Sequence, residues 1–173
     1  HLAFFDDRLA MPDIYNDDHR EAVENGVRVV SQSSAAIRHL ADEMDVVLRE
    51  VRRANSRAGI EVALEESVVE ILVTMFHELR NGQTLDGRST DRLAGSALST
   101  AEAVSVAHAA SLNAWYYGGG SITVEQLMHH IIGSALKDQP EDRRRLRHYF
   151  ETTVAPRRGD NWQQAWALRS LIH

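Results

Sequence analysis

Cysteine is missing from this 173-residue sequence, which excludes disulfides, thiolate metal sites and a cysteine nucleophile. Lysine is nearly missing. Lys137 is the single one, in "SALKDQP" with no glycine loop before it. A P-loop needs glycines for close backbone approach and a lysine for the β/γ-phosphates, so these residues contain none. Schiff-base or Ser-Lys chemistry would rest on Lys137 alone. Proline is scarce, at Pro12, Pro140 and Pro156, which leaves long stretches free to be helical. No apolar run approaches the about 18 residues of a membrane span, so no membrane contact is expected. A strong basic balance is also missing. Residues 1–70 hold 15 acids and 8 arginines (−7), residues 71–173 hold 10 acids and 11 Lys+Arg (+1), and the net charge is −6. Neither half has the footprint of a nucleic-acid surface, and "RRRLRH" alone does not make one. With no cysteine to protect, a cytoplasmic location is the expectation.

Helical spacing dominates what is there. Residues 1–16, "HLAFFDDRLAMPDIYN", are irregular, with a break at Pro12. A short helix is expected from Asp17 to about Val30. Ser31, Ser33 and Ser34 then offer caps to a longer one, whose stripe is Ile37, Leu40, Met44, Val47, Leu48 and Val51. "NSRAG" at 55–59 ends it. The next helix, about 64–80, buries Val68, Ile71, Leu72, Met75, Phe76 and Leu79 and stops at Asn81-Gly82. A polar loop, 83–95, turns at Asp86-Gly87. Ser99 and Glu102 spell a capping box, with Leu98 and Ala103 at staple positions. The small-residue helix that follows runs to the triple glycine 118–120. Thr123 and Gln126 repeat the device, with Ile122 and Leu127 as staple. Pro140 is a favoured first residue for a helix to about Thr153. A last helix from Asp160 carries Trp162, Ala165, Trp166 and Leu171. The fold class is an all-α multi-helix bundle with an irregular N-terminal segment.

The candidate chemistry is sparse. His77-Glu78 in "MFHELR" starts like a zinc helix, but the residue four after His77 is Asn81, so His77 reads as a surface or boundary residue. His129 and His130 are adjacent and point about 100° apart on a helix. No metal is assigned. In "EDRRRLRHYF", Arg145 lies four after Glu141, a favourable exposed pair. Trp115, Tyr116 and Tyr117 read as core and rim packing, and Trp162 and Trp166 as the docking face of the last helix. Ser99 has no Gly-x-Ser-x-Gly elbow around it, and capping accounts for it.

"LAGSALSTAEAVSVAHAASLNAWYYGGGSITVEQL" resembles the helical lid of MoxR-type AAA+ ATPases, the broad group of RavA and magnesium-chelatase ATPase subunits. In that lid a small-residue loop enters a long Ala-rich helix, and a Gly turn leads to a capped second helix. "SITVEQL" is similar to that cap, with Val124 where the family often has Pro. "VVEILVTMFHELRNGQTLDGR" is similar to the preceding lid helix and loop, and "SALKDQPEDRRRLRHYFETTV" to an extended tail. The resemblance covers about 64–155 and is weaker over 17–63. "AFFDDRLAM" is similar to the family's Leu-Leu-Asp-Arg-Phe segment, where the core ends. An extra Asp (Asp6 or Asp7) breaks the register, so Arg8 matches the trans arginine only if that shift is allowed.

The resemblance implies a lid that closes on ATP and Mg held by a core absent from this chain, in a homo-oligomeric ring acting on a von Willebrand A-type partner. Where many such lids have the sensor 2 arginine, this sequence has Ser99-Thr100, so phosphate contact does not transfer to either side chain. The helix start at Ser99 and Thr100 can still face anionic oxygens through its free amides, with Arg88 or Arg92 supplying the lost charge. The organisation expected is 1–16 as the end of a preceding element or linker, 17–155 as the lid-like domain, and 156–173 as a docking helix. The missing initial Met and the character of residues 1–16 lead to the expectation of a mid-protein start. The parent is expected to be an ATPase, and this chain alone inactive. The other reading is a stand-alone all-α interaction module.

Overall fold

A computed structural model describes residues 17–94, 98–137 and 139–173. Among them are six α-helices: α1 Asp17–Arg57, α2 Glu66–Asn81, α3 Thr100–Tyr117, α4 Val124–Ala135, α5 Pro140–Tyr149 and α6 Asp160–Ala167. A π-helical turn, Phe150–Val154, continues α5, and a 3-10 turn, Leu168–Leu171, follows α6. The expected all-α class holds, and no described helix is long and apolar enough to cross a membrane.

The expected break in the first helix does not occur: α1 is continuous over 41 residues. Interior serines lower helix stability by only a few tenths of a kcal/mol, less than the penalty of nucleating a second helix, and no proline intervenes to force a stop. Its buried stripe begins at Leu40 and takes in Val47, Leu48 and Val51. Ile37, expected on that stripe, is 56% exposed, because no residue before Leu40 whose side chain is described is buried.

Helix α2 is the centre of the bundle. Ile71 to Leu79 are all buried, as expected of a helix apolar on most of its circumference. It stops where Gly82 takes φ +67° and returns its N–H to the Glu78 carbonyl. The chain then doubles back along the end of α2, with Thr90 N–H bonding Gly82 O and Leu93 N–H bonding Leu79 O. This return carries residues 90–94 to the head of α3.

Both expected capping boxes form, at Ser99/Glu102 and Thr123/Gln126. The staple residues Leu98, Ala103, Ile122 and Leu127 are buried beneath them. The α3 face of Ala103, Val106, Ala107, Ala110, Ser111 and Ala114 is buried, and these small residues let α3 lie close on α1, the most extensive helix pair of the fold. Ala63 bridges the two linkers, donating to Gly120 O and accepting from Ile122 N–H. The C-terminal segment is fastened by a buried network. Glu78 accepts from the Tyr149 hydroxyl (2.6 Å), Arg157 and the Leu85 amide. The Arg157 guanidinium lies 4.2 Å from the centroid of the Trp162 ring, so Trp162 docks α6 through a cation-π contact.

Candidate functional site

The head of α3 is built over a buried carboxylate. Ser99 and Thr100 sit side by side in sequence but divide the labour. The Ser99 hydroxyl accepts the Glu102 amide (3.2 Å), and Glu102 accepts the Ser99 amide (3.1 Å). The Thr100 hydroxyl points inward and donates to Glu43 Oε1 at 2.9 Å. Arg80, from the last turn of α2, grips the same carboxylate with two nitrogens at 3.2 and 3.1 Å and also donates to Leu98 O at 2.9 Å. Leu98 is fully buried and has φ +41°, a conformation uncommon for a non-glycine residue. The Arg80 bond to its carbonyl helps to hold it there. Helices α1, α2 and α3 are thus joined at one ionised group.

Burial alone raises the Glu43 carboxyl. The His77 imidazole and the hydrogen bonds from Arg80 and Thr100 outweigh that and hold it at about 2. His77 Nδ1 lies 3.8 Å from Glu43 Oε2, and the His39 ring is tilted against that of His77 with centroids 5.6 Å apart. The expectation that His77 is a surface or boundary residue is corrected: it is 8% exposed, because α2 is enclosed on the side that faces α1.

Beside this junction is an open cleft of about 770 Å³, lined by Arg80, Thr90, Asp91, Arg92, Leu93, Ala94 and Arg145. Two of its three arginines have charge partners. Arg80 is held by Glu43. Arg145 lies 3.6 Å from Glu141 and 3.5 Å from Asp142, and donates to Arg92 O. Asp142 in turn accepts the Ala94 amide at 2.9 Å, which ties the loop to α5. The exposed Arg92 guanidinium makes no hydrogen bond to a described residue. Arg88 is elsewhere, on the exposed turn at Gly87, paired with Asp86 at 2.9 Å. The Thr84 hydroxyl, and then Arg88, keep the Asp86 carboxyl below its usual range. The structure therefore brings Arg92, Ser99 and Thr100 to one end of the bundle, while Arg88 does not line the cleft. Arg8 lies outside the described residues. Lys137 is spent on Glu102.

Residues 41–173 match a protein family described as the YehL-like AAA+ ATPase C-terminal domain. The chain belongs to this family. It is also 37% identical over 137 residues to the uncharacterized protein YehL of Escherichia coli (strain K12), a stretch that makes up 79% of this chain and 37% of that relative. The chain thus spans little more than a third of the relative's length. No solved structure matches. The YehL-like span begins within two residues of Glu43 and takes in Arg80, Arg92 and Thr100, while His39 and Arg8 precede it.

Two features of this YehL-like domain differ from the sequence reading. Trp115, Tyr116 and Tyr117 are 43%, 68% and 88% exposed. They are not core, because the buried face of α3 ends at Ala114. The Glu43 junction was not anticipated. Its one trace in the sequence is His39-x-x-x-Glu43, a spacing that puts two side chains on one helix face. The third member, His77, comes from another helix.

Proposed function

We propose that this domain is the helical lid of a MoxR-like AAA+ ATPase, and that it closes over nucleotide held by a core outside these 173 residues. Membership of the YehL-like AAA+ ATPase C-terminal domain family carries the reading. The resemblance of residues 64–155 to MoxR-type lids gives it its finer form. In this reading the parent is a cytoplasmic, ATP-driven, chaperone-like remodelling machine, assembled as a homo-oligomer and acting on a von Willebrand A-type partner.

The cleft at the head of α3 suits a phosphate. Arg92 has a charge not taken up by a described carboxylate, and its exposed side chain lies beside Gly82, where any side chain in place of the glycine would crowd it. The neighbouring Arg80 and Arg145 add positive field, though each is shared with a carboxylate. Ser99 and Thr100 act through position: one caps the helix and the other anchors it to Glu43, which fixes the direction of the α3 amides. Bound Mg·ATP supplies the scissile phosphoryl group. In such transfer, catalysis is mostly positioning and charge stabilisation, and Arg92 is the residue of this chain that provides the second. Arg8 is the candidate for a contact in trans to a neighbouring subunit's nucleotide.

The test is ATP turnover by the longer protein that carries this domain. Arg92→Ala is expected to lower kcat at least tenfold, and Arg88→Ala to leave it within twofold of wild type. Equal turnover by wild type and Arg92→Ala sinks the assignment of Arg92. The isolated 173 residues are expected to hydrolyse no ATP. A second reading, a free-standing protein-interaction module, draws on the exposed Trp115, Tyr116 and Tyr117. The coding sequence upstream of His1 separates the two: a Gly-x-x-x-x-Gly-Lys-Ser/Thr motif supports the lid, and its absence supports the module.

A further inference from the structure

We propose that His39, Glu43 and His77 form a binding site for a zinc-class divalent metal ion at the junction of α1 and α2. Each offers one ligand atom, and the three atoms lie within 4.8 Å of one another, the cluster of this kind found among the described residues. His39 and Glu43 are one turn apart on α1, so their side chains share a face, and His77 meets them from α2.

The hydrogen-bond inventory of Glu43 shows what is left over. A carboxylate has about four lone-pair sites. Arg80 takes one on each oxygen and Thr100 takes a second on Oε1. The remaining site is on Oε2, the oxygen 3.8 Å from His77 Nδ1. That nitrogen is buried and has no hydrogen-bond partner, and 3.8 Å is too long for it to bond Glu43 directly. A buried polar atom without a partner calls for an explanation. An ion between Nδ1 and Oε2 satisfies both at once.

The donor set is two imidazoles and a carboxylate, which suits zinc and its neighbours rather than calcium or magnesium. Tetrahedral zinc with these ligands sets neighbouring donor atoms about 3.4 Å apart. Glu43 Oε2 and His77 Nδ1 close from 3.8 Å to that spacing by a few tenths of an ångström, and the exposed His39 completes the set by a change of side-chain angle. The same exposure leaves a fourth coordination position open to water. Arg80 has two effects. It fixes the orientation of Glu43, as outer partners of ligating carboxylates do, and its charge weakens the hold on a cation. The ion therefore binds reversibly and links the end of α1 that leaves the body to the central helix α2.

The experiment uses the untagged 173-residue chain, stripped with EDTA. Zn²⁺ binding is measured by calorimetry and Co²⁺ binding by visible absorption. The wild type is expected to bind one equivalent, with the Co²⁺ bands of a site of low coordination number. His39→Ala removes an exposed ligand without touching the core and is expected to weaken Zn²⁺ binding at least tenfold. His77→Gln is expected to do the same, and His129→Ala to bind as wild type. No binding by the wild type, or a loss of less than tenfold in His39→Ala, overturns the site.

Discussion

Two buried glutamates sit at opposite ends of α2's role in the fold. Glu78 is sealed: fully buried, bonded by a phenol and a backbone amide, and paired with Arg157, whose guanidinium lies over the Trp162 ring. The one donor left over there, Arg157 Nη1, belongs to a guanidinium whose face is covered by an indole. Glu43 has the same count of hydrogen bonds but a different rim. Its arginine is a quarter exposed (26%) and lines an open cleft, and its leftover neighbour is an imidazole nitrogen 3.8 Å away. Both carboxylates are satisfied enough to be stable. The sealed one holds the fold together, and the open one is placed where something can arrive.

Removing the carboxylates separates the two most sharply. Glu78→Ala leaves Arg157 buried without its counter-charge and is expected to destabilise the chain by about 3–5 kcal/mol, read as a lower urea midpoint with an unchanged slope. Glu43→Ala is expected to be milder, about 1–3 kcal/mol, because Arg80 can turn into the cleft and recover water. Equal losses in the two variants would erase the contrast. Ser99→Ala removes the cap above the Glu43 junction and is expected to lower stability by about 1 kcal/mol. Thr123→Ala, at the second capping box, should match it if the cap is all that Ser99 contributes to folding. The smallest effect belongs to the cleft rim. Arg92→Ala is expected to stay within about 0.5 kcal/mol of wild type in the same denaturation, so a large drop there would mark Arg92 as structural.

What was legible in the sequence was local. Both capping boxes, the Gly82 stop and the Asp86-Gly87 turn are fixed by residues a few positions apart, and each formed as written. The all-α class follows from spacing over single helices. Ser31, Ser33 and Ser34 misled because the same residue that starts a helix is tolerated inside one, and only the competition with nucleation decides. Trp115, Tyr116 and Tyr117 misled because an aromatic is buried by its neighbours and not by its own character, and here the buried face of α3 ends at Ala114. His77 and Glu43 are 34 positions apart, so no window on the sequence joins them. Arg92 was legible as a candidate, but its separation from Arg88 depends on how the 83–94 loop folds back along α2.

The length of α1 has a mechanical meaning. The His39–His77 contact precedes Leu40, the first buried residue among those whose side chains are described, and before that contact residues 17–38 run on as about 33 Å of uninterrupted helix. A rod fixed at one end is a lever. A tilt of about 10° where α1 meets α2 and α3 swings Asp17 through about 6 Å, so a slight angular change at the Glu43 junction becomes a displacement as large as a side chain at the far tip.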